Sequence, residues 1–353
     1  MGRRAHPGIS RRAWLSAAAS LGVVGLGCSR TTTLSVYNWA SYLAPELAER
    51  FAKREAKLRV AQEEYLSEAE LDAKLRAGVR YDLAVPTDYL LDALQRDGLL
   101  LELDPLPAGT EHLSPEFPVW RAPDERGGGA YAIPYLWGTT GIGYDSEKVE
   151  TPTSWNAMFD ERYAGHISLL DSGHDVLDQA LLASGMSMNS TDEQEIRGRV
   201  WPRVHEQKQL LRDYDSEPAE ALLSGDTWIA QIDIGDLLRA QAKRPSLRFA
   251  IPDEGAARWT DYLVILANAP HPKLARAFIE FMLEPDHAAL NANTLRFATP
   301  NGSALERGLI ADAEHAQLYP SEEVRGRLFT SKNWDGAGKE LVDELWRELR
   351  GIS

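Results

Sequence analysis

Three strand-then-helix alternations run from Leu34 to Gly98, and they constrain the fold more than any other feature of the chain. LSVYNW, at 34–39, reads as a strand, and Pro45 opens a helical pattern that ends near Arg54. LRVAQEE is the next strand. SEAELDAKLRAG then carries three helix signals: a Ser67 cap, Glu70 at the third helical position and a glycine stop at Gly78. YDLAVP is a third, short strand and DYLLDALQRDG a third helix. Such alternation argues for a parallel sheet covered by helices. Ligands of such sheets sit off the carboxyl ends of the strands, and those ends here read NWASY and PTDY.

The pattern changes at YAIPYLWGTTGIGYDSEKV, where two extended pieces flank Gly138, Gly141 and Gly143. This segment is expected to be a hinge that carries the chain into a second domain. No lysine follows GTTGIG, so it lacks the pattern of a phosphate loop. Alternating signals resume in ISLLD, DVLDQALLAS, EQEIRGRVWPRVHEQ, TWIAQIDIGDLLRAQA and LRFAIP, and WTDYLVILA brings the chain back. A helix from Pro272 to Leu283, the turn ATPNG and a C-terminal helix from Lys339 follow. The resulting class is α/β with two lobes and a ligand cleft between them. Lobe 1 takes 34–139 and 261–304, and lobe 2 takes 140–260 and 305–349.

Residues 1–27 hold four arginines and no acid, then a short apolar run that ends at Cys28, the single cysteine of the chain. This is the layout of an export signal, too short for an ordinary membrane-spanning helix. SRRAWL resembles the twin-arginine type, with Trp14 where phenylalanine is common. Leu26-Gly27-Cys28 resembles a lipoprotein cleavage site, so Cys28 is expected to be lipidated, with 28–33 as a tether and the periplasm as the compartment. Removing residues 1–27 changes the formal charge from −15 to −19. That field disfavours nucleic acid and anionic lipid and favours a cationic ligand. About 325 mature residues suit two domains, and one cysteine allows no internal disulfide.

The polar residues nearest the inferred cleft are Trp39, Tyr42, Thr87 and Tyr89 from the first lobe and Asp175, Asp233 and Asp236 from the second. Trp259 and Asp261 join them at the return crossing, where period-two spacing points both to one side. An extended cation would find carboxylates for its amino groups and aromatic faces for its methylenes. A desolvated cation–π contact is worth about 0.5–2 kcal/mol and a buried methylene about 0.8 kcal/mol, so the spacing of the carboxylates has to set specificity. Each residue also has a plain structural reading. Asp261 could cap a turn, Asp175 could be an ordinary first-turn aspartate, and Asp236 could cap LLRAQA. Trp120, Trp155, Trp201 and Trp346 read as packing or scattered surface residues.

Catalytic patterns fare poorly. The chain has no HExxH, no GxSxG elbow and no catalytic cysteine framework, so no catalytic residue, metal site or cofactor is expected. A secreted hydrolase using paired cleft carboxylates is the alternative from a different class.

YNWASYLAPEL, YDLAVPTDYLLDALQRDGLL, IPYLWGTTGIGYD and RWTDYLVI resemble the periplasmic spermidine/putrescine-binding proteins of ATP-driven importers, within the family 1 extracellular solute-binding proteins. The likeness runs from about Leu34 to near Glu348. It implies a type II-like periplasmic-binding fold, each lobe a mixed sheet flanked by helices. It further implies a monomer that captures a polyamine without transforming it and presents it to permease subunits. Another amine or an amino-acid-like solute is the alternative ligand. Trp39 and Tyr42 fall where that family has aromatic walls, and Thr87 and Tyr89 match the serine and tyrosine after its VP segment. Asp175 occupies an acidic position, and Trp259 and Asp261 keep the aromatic and carboxylate of the amine site. Asp236 matches the aspartate of the putrescine-type WAGD segment, which reads DIGD here, so Asp233 replaces a tryptophan. Ala40 and Ser41 lack the family's polar or acidic character, Ser172 stands in place of an aspartate, and Phe297 replaces a tyrosine.

Overall fold

A computed structural model describes residues 31–54, 57–123, 128–332 and 337–351. The export segment and Cys28 lie outside the described residues. The strands are β1 (Thr32–Trp39), β2 (Leu58–Tyr65), β3 (Leu83–Ala84), β4 (Trp120–Arg121), β5 (Ala130–Asp145), β6 (Ile167–Leu169), β7 (Leu211–Tyr214), β8 (Ile229–Asp233), β9 (Leu247–Ala250), β10 (Ala256–Ile265) and β11 (Leu328–Phe329).

They form one mixed sheet in the order β2-β1-β3-β10-β5-β8-β6-β7, with β4 and β9 on β5 and β11 on β10. β1 is parallel to both β2 and β3, as the strand–helix alternation requires. At the other end β6 is parallel to β7 and β8. The two parallel halves meet through antiparallel β5 and β10. Only Leu83 and Ala84 of YDLAVP join the ladder. Pro86 has no N–H to donate there, and its carbonyl instead accepts from the Tyr262 amide at 2.9 Å.

Each half covers both faces of its sheet. In the first half Leu34, Leu47, Phe51, Phe278 and Phe281 pack on one face, and Tyr37, Tyr65, Leu71, Leu91 and Leu94 on the other. Leu34 and Tyr37 belong to opposite faces because successive side chains of a strand alternate. The second half has Ile142, Trp155, Ile167, Leu181 and Leu345 in one cluster and Leu222, Ile232, Leu237 and Phe249 in another. Helix Glu68–Arg76 is capped as expected, the Ser67 hydroxyl accepting from the Glu70 amide at 3.3 Å. Trp155 is fully enclosed, in line with its packing role.

One expectation needs correcting. The segment around Gly138, Gly141 and Gly143 is not two separate extended pieces but the single 16-residue strand β5. The glycines are there because large side chains cross the strand where side chains would otherwise stand. A β-carbon on Gly138 would lie 2.6 Å from Trp259, one on Gly141 2.5 Å from Phe249, and one on Gly143 2.6 Å from Ile232. A chain crossing at this point therefore runs through two paired strands. The helices Pro218–Ser224 and Pro285–Leu295, which were not expected, also form.

Candidate functional site

The site lies where the two parallel halves meet, at the carboxyl ends of β1, β3 and β8 and along the middle of β10. Asp261 is its centre. The carboxyl group is almost fully enclosed, and Oδ1 accepts from the Thr87 hydroxyl at 2.7 Å. Thr87 and Asp261 also pair as an isolated antiparallel bridge. Immediately after Asp261 the β10/β5 register shifts, a bulge that re-aims the strand beside the site. Burial pushes the Asp261 carboxyl up to about 7, against the opposing pull of the nearby Tyr42 and Thr87 hydroxyls. No cationic side chain among the described residues forms an ion pair with it.

Trp259 lies flat over Gly138, its register partner in β5, and meets Phe297 edge-on at 5.4 Å. Its indole N–H donates to Asp233 Oδ1 at 3.0 Å, and the Thr140 hydroxyl donates to the same oxygen at 2.6 Å. Asp233 is partly buried at the end of β8, and desolvation raises its carboxyl to about 8, with the charges of Asp236 and Asp175 adding. Tyr42 is 5% exposed, packs edge-on to Tyr135 and Phe297, and has a buried hydroxyl that makes no hydrogen bond. The Trp39 indole N–H is likewise enclosed and unbonded, and its ring leans on Tyr65 at 4.6 Å.

The remaining expected residues are placed less uniformly. Tyr89 stacks on His174, with centroids 4.7 Å apart. Asp175 is in the first turn of helix Gly173–Ala183, its amide held by the Ser172 hydroxyl and its carbonyl by Gln231. Asp236 is in the first turn of helix Ile234–Lys243 and forms an ion pair with Arg239, which also donates to the Leu295 carbonyl. Burial raises the Asp236 carboxyl, and Arg239 opposes that shift.

Three residues outside the expected set also lie here. Glu68 Oε1 accepts the Thr87 amide at 2.7 Å, and its Oε2 is buried without a partner. Asp88 lies beside it, with Oδ1 buried and unbonded. Desolvation first, then the charge of Asp261, raises each of them to about 8, and Asp88 adds to the shift of Glu68. Asp88 stands inside the quoted PTDY, and Glu68 opens the helix after β2, so both carry the strand-end signal that selected Thr87 and Tyr89. The third is His174, 3.4 Å from Asp178, whose buried carboxyl is pushed up to about 7. The combined arrangement sets several carboxyls among aromatic rings, with more acids than cations. Such a site suits a ligand that brings positive charge and alkyl surface together.

Residues 46–317 match the sequence profile of the bacterial extracellular solute-binding proteins. The chain is 30% identical over 355 residues to the spermidine/putrescine-binding periplasmic protein of Escherichia coli K12, covering 97% of this chain and 98% of that one. It is 29% identical to a putrescine/cadaverine-binding protein of Pseudomonas aeruginosa, over 90% of this chain and 93% of the relative. The crystal structure of the spermidine/putrescine ABC transporter substrate-binding protein of Streptococcus pneumoniae superposes with a TM-score of 0.75 at 26% identity, covering 91% of this chain and 99% of that one.

Proposed function

We propose that this chain, which belongs to the bacterial extracellular solute-binding protein family, captures a polyamine-like cation outside the cytoplasmic membrane and delivers it to an ATP-driven importer. The observation that carries this reading is Asp261: an enclosed carboxylate without a cationic partner among the described residues, held by Thr87, with the Tyr42 hydroxyl nearby and Trp259 two residues before it on β10. An ammonium beside Asp261 would supply the missing charge, and its methylenes would lie on the indole. Relatives named for spermidine, putrescine and cadaverine binding support the same chemistry. In this reading residues 34–139 and 261–304 form one lobe, 140–260 and 305–349 the other, and β5 and β10 are the connecting strands. The protein acts as a monomer, tethered to the membrane by lipid on Cys28 and docking on permease subunits. No helix among the described residues is long and apolar enough to cross a membrane. The cleft binds and releases its cargo unchanged.

Calorimetry of the purified mature chain against putrescine, spermidine, sugars and neutral amino acids tests the reading. Saturable binding of an amine, with the amine recovered intact, is expected. Binding of another class with no heat from any amine would overturn it.

A further inference from the structure

We propose that Asp233 is the second cation anchor of the cleft, opposite Asp261, and that the two together tune the site to a short α,ω-diamine. The proposal rests on the cation-binding reading above and adds what holds the far end of the ligand. Asp233 Oδ1 is engaged by two neutral donors, Thr140 at 2.6 Å and the Trp259 indole at 3.0 Å. These fix the carboxylate in place without cancelling its charge, and a carboxylate has about four acceptor positions, so Oδ2 remains for a ligand. Among the described residues no cationic side chain pairs with Asp233. Its neighbour Asp236 does have one, since Arg239 is committed to Asp236 and to the Leu295 carbonyl.

A separate observation points to a ligand at this place. Tyr42 is 95% enclosed, its hydroxyl lies close to the Asp261 carboxyl without a well-formed hydrogen bond, and the acids acting on it are Asp261 first and Asp233 after it. An N–H donor placed between the two carboxylates would also satisfy it.

Trp259 fixes the spacing. Asp233 grips one edge of the indole, and Asp261 is two residues further along the same strand, about 6.6 Å of chain. An alkyl chain lying on the indole face can thus have an ammonium at each end. A monoamine leaves the Asp233 charge uncompensated.

The test is calorimetry with putrescine, cadaverine, spermidine and n-butylamine on the wild type, Asp233→Asn and Asp233→Glu. Asparagine keeps the acceptor for Thr140 and Trp259 while removing the charge. The wild type is expected to bind putrescine or cadaverine at least about tenfold more tightly than n-butylamine. Asp233→Asn should erase most of that advantage and leave n-butylamine within about twofold. Asp233→Glu keeps the charge one methylene further out and should shift the optimum toward a shorter diamine, which also serves should the asparagine variant fold poorly. Equal losses for monoamine and diamine would overturn the proposal, reducing Asp233 to a support for Trp259, as would no loss at all or a wild-type preference for spermidine. Those results leave amine binding intact. A wild type that binds no amine would remove the cation reading itself and this proposal with it.

Discussion

The Tyr89 ring and the His174 imidazole lie face to face, 4.7 Å between centroids and 7° from parallel. Tyr89 follows β3, and His174 is in helix Gly173–Ala183, so the stack joins the two halves of the sheet beside Asp175. Aromatic pairs of this kind contribute about 0.5–1.5 kcal/mol beyond area burial. His174→Ala should therefore weaken ligand capture about two- to tenfold, by a similar factor for every ligand that the protein binds. Titration of the variant checks this, and unchanged affinity would make the stack incidental to capture.

The buried carboxyls give the site a pH dependence with a definite sign. Asp261 is raised to about 7, and Glu68, Asp88 and Asp233 to about 8, all chiefly by desolvation. A carboxyl whose pKa is higher folded than unfolded stabilises the fold below its unfolded pKa, and that contribution is lost as pH rises through the folded value. The ligand-free protein should melt at progressively lower temperature between about pH 4 and pH 8 and level off above it. A bound cation favours the ionised carboxyls, so binding near pH 7 should release protons and tighten as pH rises. Melting curves, and calorimetry in two buffers of different ionisation enthalpy, read both effects. A melting temperature that climbs across this window, or binding without proton release, would contradict the assignment.

Gly138 tests the seat of the indole. Its β-carbon would stand 2.6 Å from Trp259 Cζ2. Gly138→Ala should push the ring off the strand, break its bond to Asp233 and lower amine affinity. Overpacking of this kind costs about 1–3 kcal/mol, measurable by denaturant unfolding. Wild-type affinity in a stably folded Gly138→Ala protein would show that the indole position is not needed for binding.

Processing offers an independent check. The mature protein should begin at a lipidated Cys28, which mass spectrometry of the membrane fraction reads directly. An unmodified terminus downstream of Cys28 would indicate a freely diffusing form.

The parts of the fold legible in the sequence were those written in local signals. The Ser67 cap, the Pro45 and Pro272 starts and the strand-end positions of Thr87 and Tyr89 all form where their chemistry predicts. The glycines of β5 misled because glycine marks both a loop and a strand crossed by a large side chain, and only the partner strand carrying Trp259 distinguishes them. Asp236 shows the complementary limit, since its sequence neighbourhood does not reveal that Arg239 turns back to pair with it. Glu68 and Asp88 joined the site for a reason no single segment contains. Both come to lie partly buried beside Asp261, more than 170 residues away in the chain, only when β3 and β10 pair.

The measurement that bears most directly on the central claim is a paired titration of wild type and Asp261→Asn with the best cationic ligand and with a neutral analogue of similar length. Asparagine preserves size and the contact with Thr87 while deleting the charge that an ammonium needs. Removing one partner of an enclosed charge pair costs at least about 2 kcal/mol, so the variant should bind the cation about thirtyfold more weakly. It should bind the neutral analogue as the wild type does, and its ligand-free melting temperature should be unchanged or slightly higher, since the uncompensated carboxylate is a cost to the empty cleft. Equal affinity of both proteins for both ligands would contradict the account and move the ammonium site away from Asp261.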